Sequence, residues 1–412
     1  MKGPARRVPP AKAKDVKMAG SYDVIVIGGG IIGLSCGYYL TKQGKRVAVI
    51  EAGGFADGAS GACDDMILFQ SKKPGINLEL AFESLELYKS LVGELDDSLG
   101  FANYGGMVLI QNQQELEVME EFVTQQQSYG LDVKILDRKE MLRKQPFLSD
   151  RFIASTYSPM DSQAYPFAVM HKLSGKGRKL GMQVIHKSPV TGIEKDGNGD
   201  YRVSTGQNLT YTAPVVVNAT GAWAGKVAAL AGAYVPMEPR RGQIIITEKV
   251  PAVGETNLWT AKYLVSKLKS GFEIDSTEEE KRLGLGFAFT RTEGDSYLIG
   301  STRESVGYDK RTTMEGIRAI INQAVSIVPV LKDVNFIRAI AGLRPATPDG
   351  KMILGEHAGM KGFYTAAGHE GDGISLAPIT GKLLADMVCG TTDARLGELS
   401  PNRFAKDAKE VS

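Results

Sequence analysis

The chain is short of the residues that build disulfide frameworks and metal centres. Its 412 residues include only 3 cysteines and 4 histidines. Cys36, Cys63 and Cys389 lie far apart, form no CxxC pair and are odd in number. A disulfide scaffold or zinc site is therefore not expected, and a reducing compartment fits. No apolar run approaches the roughly 18 residues that span a bilayer. The first 20 residues lack the apolar stretch of a secretory signal, although Arg6 and Arg7 are paired there. Net charge is only +2, from 49 Lys and Arg against 47 Asp and Glu. That balance gives no reason to expect nucleic acid. The charge is uneven: residues 1–20 carry six basic residues and one acid, about +5, which leaves the remainder near −3. A flexible basic tail over 1–20 is expected, and a cytoplasmic location for the whole.

Glycine, by contrast, is plentiful, with 48 residues. Residues 22–53 read YDVIVIGGGIIGLSCGYYLTKQGKRVAVIEAG. Val24–Ile27 is a continuous β-branched run, as a buried parallel strand requires. Gly28, Gly30 and Gly33 follow at once as G-x-G-x-x-G. A helix is expected through Leu40, and Gly44 ends it. A second strand over Arg46–Ile50 ends in Glu51. Gly28 suits the tight turn, Gly30 the approach of a pyrophosphate, and Gly33 the packing of helix on strand. The acid at Glu51 suits ribose hydroxyls. This order of strand, loop, helix, strand and acid indicates a dinucleotide site, for FAD or NAD rather than a 2′-phosphorylated cofactor.

Further glycine-rich segments lie downstream. FADGASGACDD spans residues 55–65, and APVVVNATGAWAGKVAALAG spans 213–232. GFYTAA at 362–367 leads into GHEGDGISLAPITG at 368–381. The last of these is a second loop running into a helix start, where free backbone N–H groups and a partial positive charge gather.

Taken with RGQ at 241–243 and GLRPATPDGKMILG at 342–355, these segments resemble the D-amino-acid oxidase superfamily of FAD enzymes. AKYLVSK at 261–267 and YLIGSTRESVGYDKRTT at 297–313 resemble its dehydrogenase-type branch. That branch holds the catalytic β subunits of opine oxidase, dye-linked proline dehydrogenase, D-hydroxyproline dehydrogenase and heterotetrameric sarcosine oxidase, with the corresponding chain of hydrogen cyanide synthase. The resemblance covers residues 21 to about 400. It implies noncovalent FAD, and an amino- or imino-acid substrate oxidised by hydride transfer to flavin N5. It also implies a catalytic β subunit with partner subunits in an electron-transfer complex, a route to the membrane periphery. A stand-alone oxidase using oxygen and a noncatalytic electron-relay subunit are the alternatives.

The resemblance also implies residue roles. Gly28, Gly30, Ile31, Ile32, Gly33, Glu51, Ala59, Ser60, Val190, Thr220 and Gly221 would hold FAD. So would Gly342, Arg344, Gly371, Asp372, Gly373, Ile374 and Ser375, at the isoalloxazine end, where the helix start would favour charge on the reduced flavin. Arg344, in AGLRP, matches the carboxylate-binding arginine, and its planar fork suits that task. Its structural alternative is a pair with Asp349. His369 and Glu370 are candidates for contact with flavin or substrate. Arg241 and Gln243 are expected on a strand at the pocket floor. Asp64 and Asp65 read as solvated loop acids. Tyr104, Tyr263 and Tyr308 are candidate pocket walls. A tyrosine, Tyr165, stands near the position of the covalent FMN histidine of heterotetrameric sarcosine oxidase. That argues against a covalent link and leaves open a noncovalent FMN at a subunit interface, with Lys72 and Lys73 beside it.

The fold class expected is α/β: a Rossmann-like FAD domain plus a second, α+β domain with an antiparallel sheet. The motif positions make the FAD domain discontinuous, over 21–65, 150–238 and 340–400. Residues 66–149 and 239–339 then form the substrate domain, and 401–412 a second tail. Amphipathic spacing over 78–95 predicts a helix, and DGNGD at 196–200 a hairpin turn.

Overall fold

The three β-branched runs Val24–Ile27, Val47–Ile50 and Val215–Asn218 lie side by side as parallel strands in a computed structural model of the chain, which describes residues 17–268 and 276–405. They belong to a six-stranded sheet ordered Ile353–Glu356, Phe363–Ala367, Val215–Asn218, Val24–Ile27, Val47–Ile50, Gln183–Ile185. Only the edge strand Ile353–Glu356 runs antiparallel. Both faces are covered, which is why these strands are apolar without alternation. Val24, Val26, Val47 and Val49 face a core shared with the helices Ile31–Lys42, Ile76–Glu94, Pro166–Lys179 and Gly373–Val388. Ile25, Ile27, Ala48 and Ile50 face a second core, under a four-stranded sheet.

That four-stranded sheet corrects the expected N-terminal tail. Lys17–Ser21 is a strand, paired parallel with Leu209–Ala213. Tyr22 then donates its hydroxyl to Gln183 Oε1 at 2.6 Å. The rest of the predicted tail, 1–16, lies outside the described residues. At the other end Pro401–Phe404 forms a turn with Phe404 buried, so the C-terminal tail does not begin at 401. Residues 406–412 lie outside the described residues.

The second unit is an eight-stranded sheet, antiparallel except where Asn257–Thr260 pairs parallel with Gly106–Ile110. Its long ladder joins Glu238–Thr247 to Phe336–Ala346. The helix Met314–Ile327 packs behind it. Helix Ile76–Glu94, assigned from the sequence to this unit, packs instead into the first unit's core, where Tyr88 donates to Ile374 O at 2.7 Å. The DGNGD turn joins Val190–Lys195 to Tyr201–Thr205.

One glycine sets a close helix crossing. A Cβ on Gly381 would sit 2.6–2.7 Å from the backbone and Cβ of Ser35, so the helices Ile31–Lys42 and Gly373–Val388 touch there without side chains. The crossing fixes the N-terminus of the second helix over the parallel sheet. Gly381→Ala should destabilise the protein by about 1–3 kcal/mol, as overpacking does. Urea unfolding followed by circular dichroism measures this, and an unchanged midpoint would show that the crossing has slack.

Candidate functional site

A cavity of about 730 Å³ opens at the carboxyl ends of the parallel strands, where the chain leaves Val24–Ile27 and Val215–Asn218 in opposite directions. Doubly wound sheets bind their ligands at such a point. The Gly28–Gly33 loop forms one wall. Gly28 has φ +109, a backbone that side chains resist, and a Cβ there would strike Ala219 O. A Cβ on Gly33 would fall on Gly28 O, so Gly33 packs inside the turn rather than lining the cavity. Glu51 is held at the strand end by Gly29 N and Gly53 N, each at 2.7 Å. Ser60 Oγ accepts from Ile31 N at 3.1 Å, which ties the 59–61 turn to the start of the first helix.

Fifteen of the residues expected to hold a cofactor line this cavity: Gly28, Gly30, Ile31, Ile32, Glu51, Ala59, Ser60, Val190, Thr220, Gly221, Gly342, Arg344, Gly371, Gly373 and Ile374. They come from seven separate stretches of sequence. Besides Gly33, Ser375 does not line it; its side chain is buried in the helix Gly373–Val388. Asp372 lines a smaller neighbouring cavity instead. Lys226, Trp223 and Lys310, not foreseen, also line the large cavity. Tyr308 packs on this wall, with its ring 5.7 Å from Trp223 and 3.6 Å from Lys226 Nζ.

The smaller cavity, of about 160 Å³, adjoins the first and shares Asp64, Arg344, Glu370 and Gly371 with it. Arg344 stands at the junction. Its guanidinium donates to Thr302 O at 2.9 Å and Ser301 Oγ at 2.6 Å, and a Cβ on Gly242 would collide with it. Asp349, the acid considered for it, pairs with Arg403 at 2.8 Å. Met66, Leu68, Trp259 and Phe287 give the small cavity an apolar side. The buried Asp161 steadies that side by accepting from Phe69 N at 2.6 Å, and burial pushes its carboxyl up to about 6.

Arg241 and Gln243 are not at the pocket. Both are buried on the opposite face of the strand. Arg241 binds Glu304 at 2.6 Å and Asp309 at 3.3 Å. Gln243 donates to Glu304 at 2.8 Å and Thr313 at 3.1 Å. Side chains alternate along a strand, so the cavity side belongs to Arg240, Gly242 and Ile244. The expectation chose the right strand and the wrong parity.

Three other expectations need revision. Asp64 is half-buried and faces both cavities rather than solvent. Burial raises its carboxyl pKa, while Arg344 and Arg303 pull it back. Asp65 is buried, and burial with Asp64 alongside raises its pKa well above the usual range. Lys72 is not a surface lysine: it is buried and ion-paired with Asp372 at 2.8 Å, besides donating to Leu68 O. Asp372 lies at the N-cap of the helix Gly373–Val388 but makes no side-chain cap, because its carboxylate is turned to Lys72. Tyr104 is half-exposed and lines neither cavity. The side chain of Tyr263 lies outside the described residues.

His369 and Glu370 do reach the site. His369 lines the large cavity with Nε2 3.0 Å from Thr380 Oγ1, and burial pushes its pKa down to about 4. It is therefore neutral at pH 7. Glu370 takes a left-handed backbone, φ +48, and pairs with Arg240 at 3.4 Å beside the small cavity.

The match to known proteins settles the family. A family model described as FAD dependent oxidoreductase, DAO, matches residues 23–387. The chain belongs to the DAO family of FAD-dependent oxidoreductases. It is 30% identical to hydrogen cyanide synthase subunit HcnC of Pseudomonas aeruginosa, over 89% of this chain and 92% of that protein. It is 29% identical to glycine oxidase of Geobacillus kaustophilus, over 90% and 94%. The crystal structure of that glycine oxidase superposes with TM-score 0.83 at 28% identity, covering 93% of this chain and 99% of the other. L-proline dehydrogenase from P. horikoshii gives TM-score 0.83 at 26% identity, covering 95% and 99%.

The residues present fit the family's FAD. Only glycine fits the first turn at Gly28 and Gly33, Glu51 ends the second strand, and the cavity is long enough to join them to Gly371–Ile374. Nothing comparable supports FMN: Lys72, one of the residues considered for it, is committed to Asp372. Among the described residues no helix is long and apolar enough to cross a membrane, and no cluster of His, Cys, Asp and Glu could hold a metal.

His369 makes the site sensitive to acid. The folded protein holds this histidine neutral down to about pH 4, whereas the unfolded chain takes a proton near 6.5. Its share of stability is complete above pH 6.5 and is lost as pH falls towards 4. That share is up to about 3 kcal/mol, at about 1.4 kcal/mol per pH unit. His369→Gln should therefore flatten the loss of unfolding free energy between pH 7 and pH 4. Equal slopes in variant and parent would contradict the assignment.

Proposed function

We propose that the protein oxidises an amino or imino acid at the carbon between amine and carboxylate, with Arg344 as the carboxylate anchor. FAD, when bound, supplies the acceptor for the hydride, so that a C=N bond forms and water later releases the carbonyl product. The single observation that carries this reading is the position of Arg344 at the junction of the two cavities, with an apolar wall beyond it. A guanidinium there grips a carboxylate and leaves the adjacent carbon facing the cofactor cavity. The paired Glu370 lies at that junction, and neutral His369 lines the large cavity.

The chain's own groups orient rather than react. Gly242 leaves room for the Arg344 guanidinium, and Ser301 and Thr302 fix its plane. Lys72 turns the Asp372 carboxylate away, so the first amides of the helix Gly373–Val388 are not capped by their own N-cap residue. Those amides and the helix dipole favour negative charge at that end of the cavity.

The chain then works as the catalytic subunit of a dehydrogenase complex. The support for this is the match to HcnC, whose name marks it as a subunit. The comparably similar glycine oxidase supports the oxidase alternative. Hydrogen peroxide formed in air by the isolated chain would favour the oxidase.

Arg344→Ala tests the central assignment. Removing one partner of a buried charge pair costs about 2–5 kcal/mol. The variant should thus lose between about 30-fold and several thousand-fold in kcat/KM for a carboxylated amine, while it still binds FAD. Unchanged kinetics would remove Arg344 from the site.

A further inference from the structure

Trp259 brings a polar atom to the apolar side of the small cavity. Its strand, Asn257–Thr260, runs between Gly106–Ile110 and Ala288–Arg291, with Trp259 opposite Val108 and Ala288. Strands on both sides and an exposure of only 7% hold the ring in place. A Cβ on Gly106 would stand 2.8 Å from Trp259 Cζ3, so the glycine makes room for that corner of the indole. Nε1 is at the diagonally opposite corner. It is buried and has no hydrogen-bond partner among the described residues. The acid beside Gly106 does not serve it: Asp161 accepts from Phe69 N at 2.6 Å and from Gln70 Nε2.

A buried N–H without an acceptor is costly, and interior tryptophans usually find a partner. Packing alone does not account for this one, because phenylalanine or leucine fills an apolar wall without that cost. Met66, Leu68, Leu264, Phe287 and Ala288 line the cavity with Trp259, and all are apolar. The cavity is thus the place from which an acceptor can come. A charged group set among these side chains would lose its hydration in exchange for one neutral donor. A neutral oxygen meets the N–H at far less cost.

We infer that the substrate carries a neutral oxygen beyond its α-carbon, such as a hydroxyl or carbonyl, and that Trp259 Nε1 donates to it. This rests on the function proposed above and sharpens it to amino or imino acids with an oxygenated side chain. With the carboxylate on Arg344 at the junction, the side chain extends into the small cavity, which Trp259 lines. A volume of about 160 Å³ suits a short side chain. Trp259 then selects among substrates and takes no part in the hydride transfer. A substrate without the oxygen leaves the donor unmet, and sites built to meet a substrate oxygen discriminate strongly on that ground.

The test uses the FAD-loaded protein, a dye as acceptor and substrate pairs that differ by one oxygen. The pairs are alanine and serine, 2-aminobutyrate and homoserine, and proline and its hydroxylated forms, each in both chiralities. At least one oxygenated substrate should exceed its partner by about tenfold in kcat/KM. In Trp259→Phe that ratio should fall to within about twofold of unity, whatever the absolute rates. If the phenylalanine variant does not fold, 3-benzothienylalanine placed at position 259 keeps the ring shape, removes the N–H and should give the same result. Ratios at or below unity for every pair, or a preference that survives the replacement, would overturn the inference. If no amino acid reduces the flavin, the proposed function fails. The inference is then still judged by flavin absorbance on titration with cyclopentanecarboxylate and with tetrahydrofuran-3-carboxylate, which carries an oxygen in the same ring. Binding of the second about fivefold tighter or more, and lost in Trp259→Phe, supports it; equal affinities, or no binding of either, overturn it.

Discussion

The ladder between Glu238–Thr247 and Phe336–Ala346 is the constraint on which the site depends. Its register places Gly242 opposite Gly342 and Arg240 opposite Arg344. Gly342 lets the ladder close on the 59–62 turn, since a Cβ there would stand 2.9 Å from Ala62 Cβ. Gly242 gives the Arg344 guanidinium its space. A slip of one residue would turn Arg344 to the far side and bring Arg241 or Gln243 into the pocket. The buried Arg241–Glu304 pair and the Gln243 hydrogen bonds sit on that far side. Breaking them would strand buried charge, so they resist such a slip.

The large cavity and the parallel sheet form a second, more local system. The glycine turn after Val24–Ile27, the acid after Val47–Ile50 and the apolar strands were legible because each is written within a few residues. A strand buried on both faces has no polar alternation, and a turn with φ +109 needs glycine. The place of Arg344 at the cavity was legible for the same reason, through the residues around it. The segments that would meet the two ends of one extended dinucleotide lie more than 300 residues apart, yet both bound the same cavity.

What was not legible depends on pairing at a distance. Strand parity hid Arg240 and promoted Arg241 and Gln243. Arg303 stood within a recognised segment, but the room for its guanidinium comes from Gly286. Lys72 read as a surface residue because lysine is rarely buried; only the fold shows that Asp372, 300 residues away, offsets the cost of its burial. The strand Lys17–Ser21 was missed because its partner, Leu209–Ala213, is remote and its composition is that of a tail. Asp64 could be judged only once two arginines were known to face it.

The most direct test of this account is a crystal structure of the FAD-loaded protein with a carboxylate that lacks an amine. The account predicts an extended FAD, with its pyrophosphate at Gly28–Gly33 and its flavin at the junction of the cavities. It places the ligand carboxylate on the Arg344 guanidinium. A carboxylate bound elsewhere while Arg344 keeps its contacts to Ser301 and Thr302 would contradict it.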